Sequence, residues 1–474
     1  MKDRLSFRLF AGVFFSLIFV AGIVFPSHAQ LATVKTLIEN CTTLYNTTVD
    51  RSHTIAVYPQ SALSYYEYNT VSGTPPVATW HGDFVLNQNG TSIRTFPLPD
   101  NIYANDFYQV DSMDVIVFCG YINTSVSSPT QSGIIGWFNL NNNGNTVHIS
   151  YVQIDDIYSF KKIRAKRNVS NNTCQLFAIG QQQKNENYHT AIYYLENFFG
   201  GINTAGFKVF PSHPQVQLSD ITLTENYVSF IGFHSGYSSV CVQREFYSQM
   251  SLPVPPNITN IYCFKLYDDG GVHSIRSTYL GNRLAPSGDM LCISTPTIIK
   301  SDSIHLVFRT IDLNGPASLC AQYVYTKEKM DVWDLTYVPN DGLVYAVFAL
   351  NPLTGQAITP IVRIKPMATM SYNTTAIVDN NHYFKKIDCL NLSKTQARHI
   401  ISGDPYTWFL KDVTTATAND LCTTLSNIPV KNYEIPIMYQ DSFAPSASNN
   451  FSVITGPRAK TTEYYDINCI EFNR

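Results

Sequence analysis

Charge is scarce in this 474-residue chain: Asp, Glu, Lys and Arg make up 14% of it, and the net charge is −3. No basic block interrupts that balance, which argues against a nucleic-acid partner. Beyond the leader, no run approaches the ~20 consecutive apolar residues that a membrane helix needs. The motifs of common chemistries are also missing. There is no His-Glu-x-x-His pair, EF-hand loop or Cys-x-x-Cys spacing, so no metal ligand set stands out. No phosphate-cradling glycine loop and no Gly-x-Ser-x-Gly elbow is present, so the expectation is no cofactor and no recognisable nucleophile. Helical periodicity is nearly absent after His53; apolar residues alternate or run in short blocks between Gly, Pro, Asn and Asp.

What the chain has in quantity is aromatic side chains, 30 Tyr and 28 Phe. That content suits β-strands and a substantial core, and does not suit disorder. The first residues read as an export signal. Lys2, Arg4 and Arg8 give a basic start, Leu9 to Phe25 is mostly apolar, and Ser27-His28-Ala29 has the small-x-small form of a cleavage site. Cleavage after Ala29 would leave residues 30–474 as a secreted, periplasmic or cell-surface protein. The ten cysteines allow disulfides in such a compartment. Those inside apolar strand patterns, notably Cys119, read equally well as small buried residues.

One stretch organises the rest: Asn105 to Leu140. The run Val115-Ile116-Val117-Phe118-Cys119-Gly120-Tyr121 is apolar throughout, as expected of a strand covered on both faces. A polar loop, Asn123 to Ser132, leads to Gly133-Ile134-Ile135-Gly136-Trp137-Phe138. Related units follow around Cys174 to Gly180, with a polar loop Gln181–His189, then around Tyr227 to Phe233, Ile304 to Val324 and Trp333 to Ile364. Weaker copies lie at Tyr383–Trp408 and Ile428–Ile454. Gly120, Gly180 and Gly232 end the central strands of three units. No unit could bury both faces of its sheet alone; stacking them face to face would.

Such a series of short-stranded units resembles a β-propeller, at the level of architecture rather than motif. The resemblance implies an all-β fold of about seven irregular four-stranded blades, in a single domain over residues 30–474 with terminal strands closing the ring. Two β-sandwich domains are the alternative. Glu463 to Ile470 is a β-rich end suited to ring closure, and a Cys41–Cys469 disulfide would lock it.

Candidate chemistry is sparse. Glycoside hydrolysis needs two opposed carboxylates; Asp83, Asp106, Asp155, Asp156, Asp220, Asp331, Asp334 and Asp404 qualify by type, and no pair stands out. Trp80, after Pro75-Pro76 in a turn region, is the ligand-stacking candidate, whereas Trp137 and Trp333 sit in strand patterns and read as core. Asp111-Ser112-Met113, Asp302-Ser303-Ile304 and Asp441-Ser442-Phe443 resemble the O-glycosylation acceptor of Bacteroidetes. The resulting expectation is a monomeric, non-catalytic binding protein whose loop face takes a glycan or a protein at the cell surface. An extracellular glycoside hydrolase or polysaccharide lyase with carboxylates in a central funnel is the alternative. A funnel cluster of Asp, Glu and Arg would favour the enzyme.

Overall fold

A computed structural model of the chain describes the strands named below, one short helix and some of the connections, between Val49 and Asn468. Residues 1–48, 433–458 and 469–474, with many of the loops, lie outside the described residues. The export signal, Asp155, Asp156, Cys41 and Cys469 therefore fall outside them too.

The strands form consecutive antiparallel meanders. The first is β1 (Val49–Val57), β2 (Ser61–Ser72), β3 (Val77–Gln88) and β4 (Thr91–Pro97). The second is β5 (Ile102–Gln109), β6 (Val115–Asn123), β7 (Gln131–Asn139) and β8 (Thr146–Ile154). The third is β9 (Ser159–Asn168), β10 (Thr173–Lys184), β11 (Asn187–Leu195) and β12 (Phe207–Pro211). The fourth is β13 (Val216–Leu223), β14 (Tyr227–His234), β15 (Ser239–Phe246) and β16 (Asn260–Lys265), with the helical turn α1 (Tyr247–Met250) after β15. The fifth is β17 (Arg276–Tyr279), β18 (Met290–Lys300), β19 (Ser303–Asp312) and β20 (Ser318–Thr326). The sixth is β21 (Met330–Val338), β22 (Leu343–Leu350), β23 (Ile361–Ile364) and β24 (Asn373–Val378). The seventh is β25 (Tyr383–Asn391), β26 (Ala397–Asp404) and β27 (Thr407–Leu410).

The first strands of these meanders touch in cyclic order. β1 lies against β5, β5 against β9, β9 against β13, β13 against β17, β17 against β21, β21 against β25, and β25 returns to β1. That closed order is a β-propeller, with the first strand of each sheet nearest the axis. Two sandwiches would pair sheets without closing a ring. Two later strands do not start sheets of their own. β28 (Thr424–Asn432) lies between β20 and β24 and joins the fifth and sixth sheets, where the sequence pattern points to another unit. β29 (Ala459–Asn468) pairs with β8 on the outer edge of the second sheet.

The unbroken apolar strands are explained by the cores between sheets. Ile116 and Phe118 of β6 face the first sheet, where they meet Tyr65 and Phe84. Val117 and Cys119, one residue out of phase, face the third sheet and meet Leu176 and Ala178. Phe177 and Ile179 of β10 then turn to the fourth sheet, against Val228 and Phe230. Each central strand thus feeds two cores, so both phases of its pleat are apolar.

A bulge recurs on the axial strands. The register shifts past Asp50, Asn105, Ser219, Trp333 and Lys385, and past Lys161 on β9. A bulged strand bends toward its partner, and a glycine stands opposite the residue before the bulge in several sheets: Gly120, Gly180, Gly232 and Gly403. A Cβ at Gly120 would sit 1.8 Å from the Tyr103 carbonyl oxygen, and one at Gly232 2.5 Å from that of Gln217. The glycines admit the bulged backbone, and the bulge re-aims the next side chain.

Candidate functional site at the ring axis

The residues that follow these six bulges are charged, and with Arg276 at the start of β17 they alternate in sign. In ring order they are Arg51, Asp106, Lys162, Asp220, Arg276, Asp334 and Lys386. Arg276 is placed by its neighbour: Ser277 N–H takes the same part as Ile163 N–H after Lys162 and Ile387 N–H after Lys386.

Each aspartate reaches the next sheet. Asp106 Oδ2 accepts the Ile163 N–H at 3.0 Å and an Arg164 Nη1 hydrogen at 2.6 Å, and Lys162 Nζ lies 3.7 Å from Oδ1. Asp220 Oδ2 accepts from Ser277 N at 2.8 Å and Ser277 Oγ at 2.9 Å. Lys162 Nζ lies 3.9 Å from Asp220 Oδ1 and so bridges the carboxylates on either side of it. Asp334 Oδ2 accepts the Ile387 N–H at 2.9 Å, with Lys386 Nζ 3.8 Å from Oδ1. Supporting bonds cross the same junctions: Asn105 Nδ2 donates to Phe160 O at 2.8 Å, and Arg276 Nε donates to Trp333 O at 2.7 Å. Every one of these bonds ties the axial strand of one sheet to that of the next.

Electrostatics follow from burial and pairing. Burial alone would raise the Asp106 carboxyl, yet Lys162 and Arg164, with Lys386 and the Ile163 N–H, hold it well below the usual carboxylate range. Burial pushes Lys162 down to about 8, against the pull of Asp106 and Asp220 and with repulsion from Lys386 and Arg276. Arg164 is favoured in its charged form by Asp106 and Asp220, which outweigh its burial. The Cys119 thiol, opposite Asp106 in the sheet, is pushed up by burial and by that carboxylate. It is a buried free thiol, not a nucleophile.

An odd number of strands cannot alternate perfectly, so Lys386 and Arg51 fall next to each other. In the β1–β2 register Glu67 stands opposite Arg51. It is buried and accepts from Tyr65 Oη at 3.2 Å.

Of the carboxylates picked out by type, the structure brings Asp106, Asp220 and Asp334 to equivalent places. Asp83 is on β3, where Tyr68 Oη donates to it at 3.1 Å. Asp331 is the second residue of β21 and Asp404 ends β26. Trp80 lies within β3 and is half-buried, not in a turn: the ladder with β2 already runs from Val77, pairing Trp80 with Asn69. Trp137 packs partly against the core between the second and third sheets. The polar run Gln181–His189 is mostly ladder, because β10 and β11 stay in register as far as Lys184 and Asn187. Residues 124–130 lie outside the described residues.

Sequence reasoning missed the basic members. Their signal is present: Phe160-Lys161-Lys162-Ile163 recurs as Phe384-Lys385-Lys386-Ile387, and the three aspartates are equally spaced (220 − 106 = 334 − 220).

A second polar cluster lies on the first sheet. Thr70 Oγ1 is 2.8 Å from His81 Nε2, and His81 Nδ1 is 3.0 Å from Asp100 Oδ1. The line-up is hydroxyl, imidazole, carboxylate. Asp100 is 62% exposed, however, and the His81 ring stacks on Tyr68 at 5.3 Å. A solvated carboxylate orients an imidazole weakly, so this is a hydrogen-bonded surface patch rather than a buried relay. Among the described residues no group of three His, Cys, Asp or Glu could hold a metal ion, and no helix is long and apolar enough to cross a membrane.

No protein-family model and no curated protein sequence matches the chain. Among solved structures it is similar to the β-propeller domain of the Trilobed protease from Pyrococcus furiosus, which is described as having an open velcro topology. The TM-score is 0.41 and the identity 11%, over 79% of this chain and 97% of that one.

Proposed function

We propose that the protein is exported, loses residues 1–29, and acts as a non-catalytic binding protein in which residues 30–474 form one propeller domain. Its partner is a glycan or a protein at the cell surface, taken by loops at one face of the ring. The observation that carries the non-catalytic part is the state of the axial carboxylates. Asp106, Asp220 and Asp334 each accept a backbone N–H from the next sheet, and cations lie beside them. A general acid must hold a proton near neutral pH; Asp106 is held ionised far below it. The axial Asp–Lys–Arg cluster, which by type alone would favour a hydrolase, is consumed in joining sheets. Rigid scaffolds commonly carry recognition on their loops, which supports the binding half of the reading.

A glycan array probed with the purified mature chain tests it, with reducing-end release assayed on every hit and a surface-protein pull-down in parallel. Binding without turnover is the expected result. Turnover abolished by Asp106→Asn or Asp334→Asn would overturn the reading and restore the axial carboxylates as catalysts.

A further inference from the structure

The cysteines distribute unevenly over the ladders. In the described strands Cys119 stands opposite Asp106, Cys174 opposite Arg167, Cys292 and Cys320 on either side of Thr310, and Cys389 opposite His399. Cys241 of β15 and Cys263 of β16 stand directly opposite each other. We infer that Cys241 and Cys263 form a disulfide that staples the outermost strand of the fourth sheet to its neighbour.

The backbone places the pair correctly. Directly opposed residues of an antiparallel ladder project to the same face, with Cα atoms about 4.5 or 5.5 Å apart according to the hydrogen-bonding phase. Both separations fall within the range that disulfides span. The ladder around the pair is continuous, from Ser239 opposite Lys265 to Arg244 opposite Asn260, so the register has no slip that would part them.

The segment that the bridge would close carries α1, which is wedged between the third and fourth sheets. Met250 is fully buried there, Gln175 Nε2 donates to the Tyr247 carbonyl at 3.2 Å, and Tyr247 Oη donates to the Thr224 carbonyl at 2.8 Å. Among the described strands β16 pairs with β15 alone and lies last in its sheet. Fastening it would close the stretch of chain between Cys241 and Cys263, which contains α1. The step is a thiol–disulfide exchange. A Cys thiolate attacks an external disulfide such as oxidised glutathione, releasing one thiolate, and the second Cys thiolate displaces the other. Two protein thiols give one S–S bond and two protons, while the external disulfide gains two electrons.

The test is peptide mapping of the full mature chain, first fully reduced and then equilibrated in a glutathione redox buffer, without denaturant. A peptide pair joining residues 241 and 263, lighter than its separate halves by two hydrogens and split by reductant, is the expected result. Reactivity of both thiols toward an alkylating reagent after that equilibration would overturn the inference. So would linkage of either cysteine elsewhere. The buffer supplies the oxidant, so the outcome is separate from whether the protein is exported. A Cys241→Ser/Cys263→Ser variant should also lose protection of α1 from proteolysis relative to the oxidised parent. Equal protection would overturn the stapling role.

Discussion

The junction between the second and third sheets and the junction between the fourth and fifth share one plan but use different chemistry. At the first, Asp106 meets a backbone N–H and two cations, Lys162 and Arg164. At the second, Asp220 meets a backbone N–H and the Ser277 hydroxyl, with Lys162 reaching back at 3.9 Å. The residue two places after the axial cation makes the difference: Arg164 in one, Thr278 in the other, where the Thr278 hydroxyl instead accepts from Tyr337 N at 3.1 Å. One junction concentrates charge, the other spreads neutral hydrogen bonds. Both satisfy a buried carboxylate. Only the ionic one should respond strongly to loss of charge, because a stranded buried cation costs more than a stranded hydroxyl.

Asp106→Asn should therefore do the most harm. It keeps the shape of the side chain but leaves the Arg164 guanidinium facing a neutral amide and Lys162 with the Asp220 carboxylate alone, and should cost ~3–5 kcal/mol in unfolding free energy by denaturant titration. Asp220→Asn weakens the bonds from Ser277 and removes the more distant of the two carboxylates beside Lys162, and should cost about 1.5–3 kcal/mol on the same assay. A loss for Asp220→Asn larger than that for Asp106→Asn would reverse the comparison.

Acid should act on the Asp106 junction next. The folded Asp106 carboxyl is depressed, so its contribution is fully present above the ordinary carboxylate value of about 3.9 and is lost as pH falls through the folded value. Melting temperatures of the parent should fall progressively below about pH 4, and Asp106→Asn should remove part of that slope.

Lys162→Met should have the smallest effect at neutral pH, within about 1 kcal/mol of the parent or slightly stabilising, since a flexible apolar chain of similar length replaces a buried ammonium. Arg164 still neutralises Asp106 in that variant. The alkaline limb supplies a sign test. Folded Lys162 releases its proton at about 8, below the ordinary lysine value near 10.4, so the unfolded chain binds more protons between them. The parent should gain stability as pH rises from 8 to 10, and Lys162→Met should not show that gain from this site.

How much of this was legible beforehand depends on the kind of information. The sheets were legible because each central strand must be apolar on both phases, as Val115 to Gly120 is, and because Gly120, Gly180 and Gly232 mark the same structural event. The three axial aspartates were visible as residue types. What hid their role is that a bulge shifts the side chain by one position relative to simple alternation, and that their partners lie more than fifty residues away on the next sheet. The strand hosting Lys162 reads as a charged, solvated segment, Lys161-Lys162-Ile163-Arg164-Ala165-Lys166, although Lys162 is 8% exposed. Trp80 was misplaced for a local reason: Pro75-Pro76 ends before Val77, and the ladder starts at once. The joining of the fifth and sixth sheets by β28 has no local signal at all, since one strand cannot announce which edges it will pair.

The most direct measurement is a urea titration of four chains: the parent, Asp106→Asn, the double variant Lys162→Met/Arg164→Met, and the triple variant combining them. If the axial carboxylates are fasteners between sheets, the single variant should lose ~3–5 kcal/mol, and removing both cations should recover most of that loss in the triple variant. An Asp106→Asn chain as stable as the parent, or a triple variant whose losses simply add, would contradict that role and leave the axial charges free for another one.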